Sequence, residues 1–282
     1  MRRSELPLLF VLFVTIVCLL SLLRSGSITQ HSQIWQKEPD PRVKSQFYQW
    51  KQCIEKNISS IEEDAKQLWG NFWKAVQLCE KLPFMADLKI KDFHNGDEIK
   101  RHIPSLQQKP SIIVTLGIGQ DTAAEQALIK ELPRDSLFYG ADPMQEINEE
   151  LYSKFGTYFP IAVGSESKIF KANVLVNDSY VDRNVIHIEF IYFLTQLVGH
   201  KVYDDVWIDA EGAEYEMFPY FYRGGALDQN GITLCQFNLE VNQQESLIRY
   251  DSRLWRQRIF STQAVEPWLL KKTIASKRLA VD

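Results

Sequence analysis

Residues 111–128 read SIIVTLGIGQDTAAEQAL: an apolar, β-branched run, two glycines one residue apart, then a helix-forming stretch. Backbone without side chains at such a junction has two physical uses. It can let a ligand lie against the turn, or it can permit a tight strand-to-helix connection with no ligand at all. The rest of the chain bears on the choice. After Pro104, short apolar runs alternate with helical stretches. The strand candidates are 112–116, 137–140, 160–163, 206–209 and 232–241, and the helix candidates are 122–132, 145–155, 188–197 and 215–221. Strands separated by helices of this length predict parallel pairing and a doubly wound α/β sheet. Such sheets bind ligands at the carboxyl ends of their strands, and the unusual residues gather there. Gly117 and Gly119 close the first strand, Asp142 the second, Ala162, Val163 and Gly164 the third, and Asp209 with Glu211 the fourth. Glycines and acids ending successive strands favour the ligand over the bare connection.

The chemistry of the turn narrows the ligand. Asp121 stands where a dinucleotide fold wants a third small residue, and its carboxylate would repel a pyrophosphate. S-adenosylmethionine carries no phosphate and has a cationic sulfonium, so an acidic pocket containing glycines suits it better. Asp142 lies near the sequence distance from the glycines at which an acid meets ribose hydroxyls.

The segments VTLGIGQDTAAEQAL, FYGADP, FPIAVG and VWIDAEGAEYEMF resemble, in order and spacing, the motif blocks of FkbM-type methyltransferases over roughly residues 108–245. IDAEGAE is the most specific of them. The chain is also similar to a nematode-type subgroup with a membrane anchor and a helical segment before the domain. The resemblance implies a class I, Rossmann-like methyltransferase fold using S-adenosylmethionine. Gly117 and Gly119 would admit the methionine part, with Asp142 on the ribose and Ala162, Val163 and Gly164 along the adenine. Asp209, with Glu211 nearby, would face methyl donor and acceptor as the catalytic pair. Family members usually carry an acid two residues before the first glycine. Thr115 stands there instead, which leaves Asp121 as the substitute for holding the cofactor's amino group. No metal is expected. The acceptor is expected to be an oxygen of a glycan or small metabolite. Two alternatives stay open: a methyltransferase-like domain that binds without catalysing, and a lumenal type II glycosyltransferase in which Asp209-Ala210-Glu211 would hold a divalent ion.

The amino terminus has a different character. Arg2 and Arg3 precede an uncharged run from Leu6 to Leu23, closed by Arg24. That run predicts a signal-anchor transmembrane helix with a cytoplasmic N-terminus, which would place the remainder in the ER or Golgi lumen or outside the cell. The sequons at Asn57 and Asn177 agree with that address. The chain therefore divides into an anchor over 1–24, a polar stem over 25–45, a helical accessory segment over 46–104, the methyltransferase-like domain over 105–245 and a basic tail over 246–282. With 282 residues, 45% hydrophobic and 24% charged, there is room for one large domain and an accessory segment, and a net charge of -4 argues against nucleic acid as a partner.

In the helical segment, apolar residues step by three and four from Phe47 to Cys79. The SIEE sequence from Ser60 to Glu63 predicts a capping box between two helices, with Asn57 in the break. Trp69, Phe72 and Trp73 are expected to be core. If the second helix runs unbroken from Ile61, Cys53 and Cys79 are expected about 25 Å apart. Their pairing would then require a break at Gly70-Asn71. His187, in an apolar stretch, is expected to be a core residue rather than a base, and Glu214 either caps a helix or touches substrate. The tail after Val241 is too short for the usual closing strand pair. It leaves open a sheet truncated at its C-terminal edge, with RIFSTQAV (258–265) as its candidate strand and a second copy of the chain as the alternative partner for an apolar edge.

Overall fold

The computed structural model describes residues 41–61, 64–96, 98–105, 108–176, 179–210, 213–222, 224–240 and 274–275. The run from Leu6 to Leu23 and the stretch 258–265 lie outside them. Among the described residues no helix is long and apolar enough to cross a membrane.

The strands, in chain order, are β1 (Lys91–His94), β2 (Ile99–His102), β3 (Ile112–Leu116), β4 (Leu137–Ala141), β5 (Thr157–Phe159), β6 (Ala162–Gly164), β7 (Lys168–Val176), β8 (Ser179–Glu189), β9 (Val202–Tyr203), β10 (Asp205–Ile208), β11 (Thr233–Leu234), β12 (Phe237–Glu240) and β13 (Ile274–Ala275). The main sheet has the order β13-β12-β10-β3-β4-β5, and every neighbouring pair in it is parallel. The chain winds outward from β3 through β4 to β5, then returns to β10 and winds the other way. The switch point between β3 and β10 is where such sheets open a crevice.

Both faces of this sheet are covered, as its sequence pattern requires. Val114, Leu116, Val206, Ile208 and Leu239 pack under Phe190, Phe193, Leu194 and Met217. On the opposite face Ile113, Phe138 and Trp207 pack against Ala124 and Leu128 of the helix Ala123–Ile129, with Tyr152 and Phe93.

Several expectations are corrected. The third strand of the sheet is β5, before Pro160, rather than 160–163. Proline cannot donate to a ladder, and past it the chain leaves the sheet, so that β6 joins β8 instead. Residues 188–189 end a strand rather than start a helix: β7 and β8 form a long antiparallel hairpin that the α/β pattern conceals. Its signal was the Asn-Asp pair at 177–178 between two β-rich runs. The stretch 232–241 splits into β11, paired with β9, and β12. Nor is β12 apolar on both faces, because Gln236, Asn238 and Glu240 are buried polar residues on one of them. Beside it β13 pairs through Leu239 and Glu240, so the edge invoked for a second copy is occupied by Ile274–Ala275.

The accessory segment is a pair of helices, Pro41–Ile58 and Ala65–Cys79, the first beginning inside the stretch read as stem. Asp64 caps the second by accepting from the amides of Lys66 and Gln67, displacing the predicted capping box, and Asn57 sits in the last turn of the first helix rather than in a break. Cys53 and Cys79 form a disulfide with Cα atoms 5.8 Å apart, without a break at Gly70. The two cysteines lie on different helices, and the chain folds back between them, so rise along one helix does not set their separation. Ile54, Ile58, Ala75 and Val76 are buried around them. Phe72 packs there as expected, whereas Trp73 is 41% exposed and donates to the carbonyl of Gly70.

Candidate functional site

The β3 turn folds as its glycines demand. Gly117 and Gly119 have φ of 81° and 63°, in the left-handed region that glycine occupies without penalty. A Cβ on Gly117 would stand 1.8 Å from the backbone oxygen of Asp209, so this glycine exists for the close approach of the β3 and β10 ends; nothing lies within 4 Å of a Cβ on Gly119. The Asp209 amide donates to the Leu116 carbonyl at 2.8 Å, joining the two strand ends.

Asp142 braces the loop. Its Oδ2 accepts from the amides of Ile118 (2.9 Å) and Gly119 (3.2 Å), and its Oδ1 accepts from the amide of Met144 (2.8 Å). Asn148 adds a fourth brace, accepting from the amide of Gln120 at 2.9 Å. Burial pushes the Asp142 carboxyl above its usual range, against the pull of these amides. A carboxylate offers about four acceptor positions, and with the Asn148 side chain also bonded to it the Asp142 carboxylate is fully engaged in holding the loop.

Asp121 does not join this group. Its Oδ1 accepts from the amide of Ala123 and its Oδ2 from the amide of Gly96, both at 2.8 Å. It satisfies the first amide of the helix Ala123–Ile129 and ties the β1–β2 hairpin to that helix. At Thr115, Oγ1 donates to Glu125 Oε1 at 2.9 Å, and both residues are fully buried.

Around the switch point, a cleft is lined by Glu98, Lys100, Gly117, Trp207, Asp209 and Glu240 among others. Carboxylate oxygens of Glu98, Asp209 and Glu240 lie within 4.8 Å of one another. Lys100, 2% exposed, stands beside them with Nζ 2.8 Å from Glu98 and 3.6 Å from Glu125, and 5.1 Å from the centroid of the Trp207 ring. Burial alone would pull this ammonium down. The charges of Glu125 and Glu98, a hydrogen bond with Glu98 and the charge of Asp209 outweigh it and raise it well above the usual lysine value.

These lining residues come from a hairpin that sequence reasoning passed over. Asn238 accepts from the Arg101 amide and donates to the Arg101 carbonyl, and Gln236 does the same for Ile103, so two side chains of and beside β12 imitate a strand along β2. His102 meets Asp205 at 2.9 Å below them, and Arg101 pairs with Glu80 at the end of the accessory helices. Glu240 could have been found by the rule that singled out Asp142 and Asp209, an acid ending a parallel strand. Glu98, just before β2, and Lys100 within it carried no comparable signal.

The structure thus brings Gly117, Gly119, Asp142 and Asp209 to adjacent strand ends. Ala162, Val163 and Gly164 form β6 beside them, where a Cβ on Gly164 would come 3.6 Å from Ala213 in the turn after β10. Glu211 lies outside the described residues. Glu214 is buried and its carboxylate accepts from the amide of Ala210, so it braces that turn. His187 sits part-buried in β8, its ring lowered from the usual histidine range by burial and, more weakly, by Lys168, against the Val185 carbonyl.

Comparison with known proteins accords with this geometry. The family model described as Methyltransferase FkbM domain matches residues 88–272, a span that includes the β1–β2 hairpin. Over 207 residues the chain is 24% identical to the "Uncharacterized protein C28H8.7" of Caenorhabditis elegans; the match covers 71% of this chain and 64% of that relative. No solved structure matches.

Proposed function

The chain belongs to the FkbM methyltransferase family, and from that premise we propose that it transfers a methyl group from S-adenosylmethionine to an oxygen of a glycan or small metabolite. The observation that carries the reading is the convergence of the Gly117–Gly119 turn, Asp142 and Asp209 at adjacent strand ends beside the switch point of a parallel sheet, next to a cleft in which Glu98, Asp209 and Glu240 gather with Lys100. Such a cleft disfavours phosphates and suits a sulfonium. S-adenosylmethionine, when bound, supplies an electrophilic methyl group. The chain's residues do the rest. Gly117 and Gly119 present bare backbone to the methionine part, and Asp142, which fixes the loop, would exchange one of its hydrogen bonds for a ribose hydroxyl. Ala162, Val163 and Gly164 wall the adenine. Asp209, with Glu211 two positions on in the sequence, orients the acceptor hydroxyl and takes its proton, so that rate comes mainly from positioning.

Calorimetric titration of the protein with S-adenosylmethionine and with nucleotide sugars tests this. Binding of the first and not the second is expected. The reverse would transfer the site to a glycosyltransferase, and heat from neither would remove it.

The Cys53–Cys79 disulfide supports an oxidising, lumenal or extracellular address, to which the Arg2-Arg3 and Leu6–Leu23 pattern would anchor the chain with its N-terminus in the cytoplasm. Of the two sequons, Asn57 has its amide committed to the Cys53 carbonyl at 2.8 Å, so Asn177 is the expected glycan carrier. Glycosidase treatment should shift the mass of the wild type but not of Asn177→Gln. Digestion of the domain by protease added from the cytosolic side would reverse the orientation.

A further inference from the structure

A cleft suited to a cationic ligand has a lysine built into its wall. Carboxylates approach Lys100 from every element packed around it: Glu98 from its own hairpin, Glu125 from the helix Ala123–Ile129 and Asp209 from the end of β10, with Glu240 at the end of β12 lining the same cleft. In so desolvated a place these acids repel one another, and holding them together calls for a compensating charge. A buried ammonium supplies that charge at a fixed point.

The surroundings of Lys100 are built to hold it there. The Trp207 ring lies beneath Nζ. Glu125 is itself held by Thr115, which in turn accepts from the Tyr152 hydroxyl at 3.3 Å. The paired amides of Gln236 and Asn238 lock the backbone immediately after Lys100 against the sheet. We propose that Lys100 is the positioning residue of the cleft, the resident counter-ion that keeps Glu98, Glu125 and Asp209 ionised and in place. Its service to methyl transfer rests on the function proposed above, whereas its electrostatic role does not.

Thermal unfolding of the full chain as wild type, Lys100→Met and Lys100→Arg from pH 5 to 8 tests the role without any ligand. Removing the charge raises carboxylate pKa values in the folded state only. The stability this lends at low pH is lost as pH rises through the raised values. The Tm deficit of Lys100→Met should therefore grow by several degrees as the pH rises from 5 to 8. Lys100→Arg, which keeps the charge, should show a deficit independent of pH. A flat deficit for Lys100→Met, or equal growth in both variants, overturns the proposal. If Lys100→Met does not fold, recovery of folding in Lys100→Met/Glu125→Gln supports it, and failure to recover overturns it. Where the wild type binds S-adenosylmethionine, its affinity should become pH-dependent in Lys100→Met alone, weakening about tenfold or more toward pH 5. A wild type that binds no S-adenosylmethionine while the Tm pattern holds refutes the proposed function and leaves the counter-ion role standing.

Discussion

Gly117 and Gly119 share a left-handed backbone, and a motif reading treats them alike, yet the structure separates what alanine would do at each. At Gly119, φ is 63° and nothing lies within 4 Å of an added Cβ. Only the backbone strain remains, about 1–2 kcal/mol. At Gly117, φ is 81° and the Cβ would lie 1.8 Å from the Asp209 oxygen and 2.9 Å from its carbonyl carbon. That contact is with backbone, so no rotamer relieves it. The end of β10 must move away from β3, adding about 1–3 kcal/mol of overpacking. The bond from the Asp209 amide to Leu116 is strained or lost as well, about 1 kcal/mol more. The sum for Gly117→Ala is roughly 3–6 kcal/mol. At ~2–4 °C per kcal/mol for a domain of this size, Tm should fall by about 6–24 °C, against about 2–8 °C for Gly119→Ala. Thermal unfolding followed by circular dichroism measures both, and titration with S-adenosylmethionine should show the larger affinity loss for Gly117→Ala, because Asp209 moves with its backbone. Equal Tm losses, or a larger loss at Gly119, would refute the assignment of Gly117 to strand-end packing.

Asp142→Asn leaves at least one of the amides of Ile118, Gly119 and Met144 facing a donor; urea unfolding should register a loss of about 1–3 kcal/mol, and an unchanged midpoint would show that the carboxylate does not brace the loop. Cys53→Ser opens the disulfide, whose cysteines are 26 positions apart, and should cost about 3 kcal/mol. Hydrogen exchange should then quicken first in the helices Pro41–Ile58 and Ala65–Cys79, and unaltered protection there would contradict the prediction. Although Cys235 is exposed as a residue, partial burial of its free thiol, with Asp204 and Asp205 nearby, pushes that thiol up to about 11, so little thiolate exists at neutral pH. Iodoacetamide should modify it at pH 8 about 100-fold more slowly than it modifies the same cysteine in urea, the rate rising toward pH 11, and comparable rates at pH 8 would refute the shift.

What the sequence determined by itself is local in origin. β-branched runs such as Ile112–Leu116, the helices between them, and glycines or acids at strand ends are each written within a few consecutive residues, because strand and turn preferences act over that range. They were enough for a parallel sheet and for Gly117, Gly119, Asp142 and Asp209 around one crevice. Tertiary structure decided the rest through partners far apart in the chain. Asp121 reads as a pocket acid until its carboxylate is seen to bridge the amides of Gly96 and Ala123. Cys53 and Cys79 seem too distant until the two helices fold back on each other. The wall of the cleft comes from a hairpin whose place is set by Gln236 and Asn238, more than 130 positions away, and whose Lys100 acquires its meaning only from Glu125 and Asp209. Nothing in the few residues around Lys100 marks it, since a lysine in a short strand is ordinarily a solvated one. Only the burial created when distant elements close over it makes its charge matter.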